Sequence, residues 1–336
     1  MKGCFVCKEG SDRLDYVFAS GRKEQFSPLL ELCPETIHYG NLEKYRSFLR
    51  ETEVILATWD MIPFTEEELA EHFPSLRLVL YAAGSVQAFA RPFLKRGIHI
   101  ASAWGAMSIP VAQFTVASIV FLNKGAFLSA EAYRNNGFGA GKQIATVDFP
   151  GSYSTKVGIL GAGMIGSLVI SMLRDYNLEL MVYDPFLSPN RQKELGLERL
   201  YSLEEIFAEC QTISNHIANN ERTVGMLNYS LFSRMKHNAA FLNTGRGAQV
   251  VEADLVRALR EEPRRFALLD VTWPEPVAPE HPFLTLPNVL VFPHIAGYAA
   301  AEMLAMPDCM LEELARWQKG EPLRYEVTTP MLETMA

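Results

Sequence analysis

Short apolar runs alternate with longer amphipathic stretches through the first hundred residues. The runs at residues 4–7, 54–57, 78–81 and 98–100 have the length and composition of buried strands. Thr65 followed by three glutamates at residues 66–68 predicts the start of one intervening helix, since threonine is a good N-cap and acidic residues favour the first turn. Strands that alternate with helices in this way predict a parallel sheet.

The pattern changes around residues 103–110, where we expect a hinge followed by a long helix that is apolar nearly all round. A glycine-rich and polar stretch over residues 135–154 is expected to be a loop. A final helix is predicted over residues 300–319, too small to form a domain and therefore expected to fold back onto the N-terminal domain. Between these segments, strand-like runs recur at residues 156–160, 179–183, 212–216, 239–242, 266–270 and 289–292.

The length and net charge of the chain limit the number of domains and the kinds of partner it is expected to have. A chain of 336 residues with 49% hydrophobic residues is long enough for two cored domains. The formal net charge of −8 provides no overall positive charge that would attract nucleic acid or an anionic membrane. Residues 1–10 lack an apolar signal core, and polar residues interrupt the apolar stretch 109–122, so we expect a cytoplasmic protein that does not enter a membrane.

The five cysteines are odd in number and scattered, which argues against a disulfide framework or a metal site. Cys4 and Cys7 form a C-x-x-C pair, but residues three apart on a strand point to opposite faces. We therefore expect reduced core cysteines and no metal centre.

Residues 156–167 carry the most informative motif, a G-x-G-x-x-G pattern at the end of an apolar run. Gly161 suits a tight turn, Gly163 lets the backbone approach a pyrophosphate, and Gly166 lets the next helix pack closely. Asp184 follows Gly161 by 23 residues, at the end of a second apolar run, where a carboxylate can accept both ribose hydroxyls. The pattern predicts a dinucleotide site; the alternative is an ordinary strand-turn-helix with incidental glycines.

Three polar residues each follow a later apolar run. Arg246 offers a planar fork of donors suited to a carboxylate. His294 is suited to exchange a proton with a hydroxyl, and Glu275, between two prolines, is suited to orient it. Considered alone, each residue also has an ordinary structural interpretation. Arg246 could be a salt-bridged arginine, His294 a loop histidine and Glu275 a solvated glutamate.

The ordered set of the glycine motif with Asp184, then residues 243–247, 270–276 and 293–297, resembles the D-isomer-specific 2-hydroxyacid dehydrogenase family. The similarity covers roughly residues 75–300 and includes 282–289, whereas the first 70 residues match only in layout. It implies a doubly wound Rossmann NAD domain, residues 108–298, inserted into a discontinuous flavodoxin-like α/β substrate domain, residues 1–107 and 299–336. It also implies a homodimer formed through the long helix, and an active site in the cleft between the domains.

The resemblance assigns roles in the interconversion of a small 2-oxo acid and its D-2-hydroxy acid. Arg246 would grip the substrate carboxylate, His294 would exchange the proton with the C2 oxygen, and Glu275 would support His294. On the substrate side, backbone amides near Ala83 and Gly84 would meet the carboxylate, with Trp59 on the pocket rim. The expected NAD contacts are Gly161, Gly163, Met164, Ile165, Gly166, Asp184, His216, Thr244, Gly245, Arg246, Asp270 (toward the carboxamide) and His294.

Several positions depart from the family pattern, and other functions remain open. Residues 84–86 and 111–113 differ where the family places substrate-side contacts, residues 216–218 lack a common proline, and Met164 replaces a frequent arginine. An NAD-sensing scaffold similar to transcriptional corepressors is the alternative function. Formate dehydrogenases share the fold but carry glutamine at the position of Glu275, which argues against that branch.

The segments expected to form the pocket rim are residues 58–61 and 81–85 together with Trp104, and none of them is basic. A buried phosphoryl group needs arginine or lysine donors, and Asp60 would repel it. We therefore expect a small, unphosphorylated and somewhat apolar substrate.

Overall fold

The computed structural model describes residues 1–333. Within this range the chain divides into two compact units. The first unit comprises residues 1–107 and the described residues from 298 onward, and the second unit comprises residues 108–297. Each unit has its own parallel sheet and its own hydrophobic cores.

The strands of the described residues are β1 (Lys2–Val6), β2 (Glu31–Leu32), β3 (Thr52–Ala57), β4 (Leu78–Tyr81), β5 (His99–Ser102), β6 (Thr155–Leu160), β7 (Leu178–Tyr183), β8 (Thr212–Asn215), β9 (Ala240–Asn243), β10 (Phe266–Leu269) and β11 (Val289–Val291). The helices are α1 (Arg13–Val17), α2 (Arg46–Arg50), α3 (Glu66–His72), α4 (Ala90–Lys95), α5 (Trp104–Asn123), α6 (Ala126–Asn136), α7 (Phe138–Gln143), α8 (Met164–Leu173), α9 (Pro189–Glu194), α10 (Leu203–Glu209), α11 (Tyr229–Phe232), α12 (Glu252–Glu261) and α13 (Ala305–Gln318).

The sheet of the first unit has the strand order β2-β1-β3-β4-β5, with every strand pair parallel. Cys4 is buried in the core on one face of the sheet and Cys7 in the core on the other, as the alternation predicts. α13 covers the second of these faces through Met306, Met310 and Leu314. As predicted, Thr65 caps α3: its hydroxyl accepts the Glu68 amide at 3.2 Å.

The sheet of the second unit has the order β11-β10-β9-β8-β6-β7 and is also parallel throughout. The chain reverses its direction of strand addition between β6 and β8, which is the place where doubly wound sheets bind ligands. The carboxyl ends of β6, β8, β9 and β10 therefore lie along one edge of this sheet. The predicted fold class, a Rossmann unit beside a flavodoxin-like α/β unit, is confirmed.

The expected loop over residues 135–154 is wrong in large part, because the segment contains α7 and a π-helical turn at Ile144–Asp148. Gly137 separates α6 from α7 with a φ of 85°, in the region that favours glycine. At Gly141 a side chain would collide with Tyr133, so the glycine lets the two short helices pack closely. Here the glycines permit helix contact rather than indicating a loop.

α5 begins at Trp104 and carries Pro110 in its interior, so the helix starts earlier than the expected hinge suggested. The boundary between the two units falls within this helix, between Met107 and Ser108. By length and composition alone α5 is the one helix of the described residues able to cross a membrane, and half of its most apolar window is buried inside the protein. Buried core helices of soluble proteins meet the same criterion.

Candidate active site

The glycine motif forms a tight loop between β6 and α8. Gly161 has a φ of 89°, and a side chain there would press on the backbone carbonyl of His216 at 2.8 Å. A side chain at Gly166 would collide with the Gly161 carbonyl, whereas one at Gly163 would meet open space. The loop thus leaves bare backbone at the start of α8, whose first residues are Met164 and Ile165, and this cradle fits the pyrophosphate of a dinucleotide.

Asp184 follows β7 beside this loop. Its Oδ2 accepts the Ala162 amide at 2.8 Å, and its Oδ1 accepts the Phe186 amide at 2.9 Å. The two bonds fix the carboxylate next to the glycine loop, and each oxygen keeps a free lone pair. That orientation fits a ribose whose hydroxyls donate to the carboxylate.

His216 lies behind the glycine loop and is half-buried. Its Nε2 is 2.9 Å from the Ser214 hydroxyl, and burial lowers the pKa of the imidazole to about 3. The ring is therefore neutral at ordinary pH, and its residue supports the loop through the carbonyl that contacts Gly161.

A network of buried amides lies beneath Arg246. Asn215 Nδ2 donates to Asn243 Oδ1 at 3.0 Å and to Gln249 Oε1 at 2.6 Å, and Asn243 Nδ2 donates to the Arg246 carbonyl at 3.2 Å. Because all three side chains are buried, these bonds hold the turn that carries Arg246. Sequence reasoning missed this network, although buried polar residues at the ends of two strand-like runs were a signal for it.

The Arg246 side chain itself is half-buried, and its Nη1 donates to the Gly245 carbonyl at 2.8 Å. Burial lowers the pKa of the guanidinium, and the nearby negative charge of Glu275 opposes that change. An arginine in this setting stays protonated and keeps most of its donors for a ligand. Thr244, just before it, is buried against Thr115, with 3.0 Å between their hydroxyl oxygens.

His294 and Glu275 are paired, as predicted from their residue types. The Nδ1 atom of His294 lies 2.8 Å from Oε1 and 3.1 Å from Oε2 of Glu275. Each side chain is part-exposed, 34% for His294 and 41% for Glu275, so the pair faces solvent on one side. A carboxylate in this position fixes the orientation of the ring.

Asp270 holds the backbone that carries His294. Its Oδ1 accepts the Ile295 amide at 2.8 Å and its Oδ2 accepts the Ala296 amide at 3.0 Å. His294 has a φ of 57°, a strained value for a side chain of this kind, and the two bonds offset that strain. Burial raises the pKa of Asp270, and the two amides oppose the rise. The resemblance assigned Asp270 to the cofactor carboxamide; in the structure both oxygens bind this loop.

The residues expected on the substrate side lie at the strand ends of the first unit. The Ala83 amide donates to the Tyr81 carbonyl at 2.8 Å, and the Ser102 hydroxyl is 2.7 Å from the Ala83 carbonyl and 2.6 Å from that of Gly84. Trp59 is half-buried and its ring packs edge-on against Tyr298, with 5.4 Å between centroids. These groups are largely engaged within their own unit.

Sequence reasoning omitted a basic residue from this rim. Lys8 follows β1, which lies next to β3 in the sheet, and its Nζ is 3.8 Å from the Asp60 carboxylate. The Ser11 hydroxyl also donates to Asp60, at 2.9 Å. The segments expected to form the rim contain no basic residue, but Lys8 lies beside one of them and is paired with Asp60.

One group among residues 1–333 has the residue types of a metal site, namely Glu43, Glu71 and His72. Arg46 already lies 3.3 Å from the Glu43 carboxylate and 3.7 Å from that of Glu71. Both acidic groups are exposed, and the arginine offsets one of their two negative charges.

Comparison with known proteins matches residues 116–296 to the family described as D-isomer specific 2-hydroxyacid dehydrogenase, NAD binding domain. A glyoxylate reductase of Korarchaeum cryptofilum is 30% identical over 259 residues, which span 76% of this chain and 77% of the relative. A D-3-phosphoglycerate dehydrogenase of Archaeoglobus fulgidus is 28% identical over 71% of this chain, but only 44% of that relative is covered. A solved structure of apo D-mandelate dehydrogenase from Rhodotorula graminis has a TM-score of 0.80 with 19% identity, covering 98% of each chain.

Proposed function

Because the chain belongs to the D-isomer specific 2-hydroxyacid dehydrogenase family, we propose that it reduces a small 2-oxo acid to the D-2-hydroxy acid. The match to the NAD-binding domain confirms the family resemblance and NAD as the cofactor. The observation that carries the proposed chemistry is the His294–Glu275 pair, 2.8 Å apart, at the same sheet edge as the glycine loop.

In this proposal His294 is the general acid. Its Nδ1 is bonded to Glu275, and its Nε2 is proposed to donate the proton to the C2 oxygen of the substrate. Bound NADH supplies the hydride that reduces C2. Glu275 stabilises the protonated ring, and Asp270 fixes the loop that carries it. In the reverse direction the neutral ring accepts the hydroxyl proton.

Arg246 binds the substrate carboxylate in this scheme. Its guanidinium is half-buried, and the charge of Glu275 acts on it, so a carboxylate there would be held close to the acid/base pair. A fork of fixed donors also orients the 2-oxo group, which is a larger benefit than charge neutralisation alone.

We propose that NADH is preferred over NADPH. The 2′-phosphate of NADPH would meet the like charge of Asp184, whose orientation is fixed by the Ala162 and Phe186 amides. The two residues after Asp184 are proline and phenylalanine, so no neighbouring cation in that turn offsets the repulsion.

The substrate is proposed to be unphosphorylated, with Trp59 and the backbone near Ala83 and Gly84 contributing the substrate-side contacts, although the Ala83 amide is itself bonded to the Tyr81 carbonyl. Lys8 is the basic residue found at this rim, and it is paired with Asp60, so it offers a phosphate no uncompensated positive charge. The exposed aromatic residues Phe121, Tyr133 and Phe138, on α5, α6 and α7, support a homodimer formed through this region. We also propose that the protein is cytoplasmic.

The test is steady-state oxidation of NADH with glyoxylate, hydroxypyruvate, pyruvate, a branched 2-oxo acid and 3-phosphohydroxypyruvate, followed by chiral analysis of the product. We expect turnover of an unphosphorylated acid and a D product. A preference of more than about tenfold in kcat/KM for the phosphorylated acid, roughly 1.4 kcal/mol, would overturn the proposed substrate class. NADH binding without turnover of any acid would favour the NAD-sensing scaffold.

A further inference from the structure

A largely buried pair, Glu252 and His281, lies beside the loop that carries Glu275. Glu252 is the first residue of α12, and its Oε1 accepts the Trp273 amide at 2.8 Å. Its Oε2 is 3.3 Å from His281 Nε2, and the two side chains are only 14% and 23% exposed. One carboxylate thus holds two points of the chain, two residues before Glu275 and six residues after it.

The His281 ring has a defined orientation. Its Nδ1 accepts the Phe283 amide at 3.3 Å, and the ring packs against Phe283 with 4.5 Å between centroids. Because Nδ1 accepts the Phe283 amide, Nε2 is the ring nitrogen that faces the Glu252 carboxylate, 3.3 Å away. The contacts of Glu252 with Trp273 and His281 therefore connect the two ends of the loop from residue 273 to residue 281, and we call this connection the clasp.

The same loop is held from its other side by the turn that carries Arg246. A side chain at Gly247 would collide with the backbone of Thr272, so the two backbones are in direct contact. Thr272 lies next to Trp273, whose amide binds Glu252. The loop is therefore in contact with the turn of Arg246 at Thr272 and with Glu252 at Trp273 and His281.

We propose that Glu252 and His281 are positioning residues that set the place of Glu275 against His294. This inference rests on the proposed function, since it assigns a task to residues outside the reacting set. Neither side chain is assigned any contact with substrate or NAD. A displacement of about 1 Å at a catalytic group costs up to about a hundredfold in rate, so a clasp of this kind has a measurable effect.

The test is a double-mutant cycle with Glu252→Ala and Glu275→Gln, measured as kcat for the best 2-oxo acid. We expect Glu252→Ala to lower kcat about tenfold in the parent and less than about twofold in the Glu275→Gln background. Glu252→Gln keeps an acceptor for the Trp273 amide and should retain more than about a third of the parent kcat. His281→Asn keeps an acceptor for the Phe283 amide but lacks the ring nitrogen that faces Glu252, and should fall between the two.

Asp254→Ala is the matched control, because Asp254 lies in the same helical turn and accepts the Tyr229 amide at 3.0 Å, away from the Glu275 loop. It should leave kcat within about twofold of the parent, and NADH affinity should be unchanged in every variant. Equal losses for Glu252→Ala in both backgrounds, or no loss in either, would overturn the inference. If Glu252→Ala fails to fold, His281→Asn in the same two backgrounds decides it. A parent-like Glu275→Gln enzyme would instead refute the proposed acid/base pair itself.

Discussion

The two units of the chain differ in the contacts made by the residues at the carboxyl ends of their strands. In the second unit, the polar side chains at these ends bind loop amides or each other: Asp184 and Asp270 each bind two amides, and Glu275 binds His294. In the first unit, Ala83 and Gly84 are bound by neighbouring groups, and Trp59 packs against Tyr298.

This difference indicates which unit determines the reaction and which unit determines the choice of substrate acid. The chemistry proposed for the second unit is assigned to short segments that contain characteristic residue types, such as Arg246 after β9 and His294 after β11. The rim of the first unit depends on packing and on pairs such as Lys8–Asp60, which no single segment reveals. Variants in the second unit should therefore change the reaction, and variants in the first unit should change the choice of acid.

The largest expected effect comes from His294→Ala. We predict that kcat falls by roughly two to four orders of magnitude, the usual contribution of a positioned general acid. Fluorescence titration should show that NADH still binds. As a control from the first unit, Tyr16→Phe, at an exposed position on α1, should change kcat less than about twofold. Near-parent turnover in His294→Ala would show that His294 is not the general acid and would contradict the assignment of the reaction to the second unit.

Arg246→Lys tests whether the fork of donors matters beyond its charge. Lysine keeps the positive charge but presents a single ammonium, so we expect roughly a tenfold to hundredfold loss of kcat/KM, with both KM and kcat affected. Initial rates at saturating NADH separate the two parameters. Parent-like kinetics would place Arg246 outside the substrate site.

Asp184→Ala should weaken the preference for NADH. The variant loses the acceptor of the ribose hydroxyls and the charge that repels a 2′-phosphate, so the ratio of kcat/KM for NADH to that for NADPH should fall by about tenfold. Asp184 also binds the Ala162 and Phe186 amides, so unfolding should be measured in parallel. A parent enzyme that prefers NADPH would contradict this role for Asp184.

The smallest effect concerns stability and comes from His216. The pKa of its imidazole is lowered to about 3 in the folded chain, so on acidification the unfolded chain takes up this proton first. Stability should fall as pH drops below about 6.5, with His216 contributing up to about 1.4 kcal/mol per pH unit. In urea unfolding from pH 7.5 to 4.5, His216→Asn should show a shallower loss than the parent. Equal slopes would mean that the ring is not buried neutral.

Local signals in the sequence predicted several features of both units. β4 was predicted at its observed bounds, and the capping of α3 by Thr65 followed from residue types three apart. The glycine motif and the His294–Glu275 pair were likewise evident from residue type and position. These features depend on short segments, or on strand ends that a parallel sheet brings to one edge.

Contacts between distant segments were not predictable in the same way. The amide network joins Asn215 to Gln249, and the clasp joins Glu252 to Trp273 and His281, across gaps that no periodicity describes. Lys8 was missed because β1 was not considered as a neighbour of β3. The helices over residues 135–154 were missed because glycines that permit close helix packing also occur in loops.

The central claim is that His294, aligned and stabilised in its protonated form by Glu275, gives the proton in 2-oxo acid reduction. The most direct measurement is the pH dependence of kcat/KM for reduction by the parent and by Glu275→Gln. Glutamine keeps the shape but not the charge, so the protonated ring loses its partner and the alkaline limb of the profile should move to lower pH. An alkaline limb at the same pH in both enzymes would contradict the account.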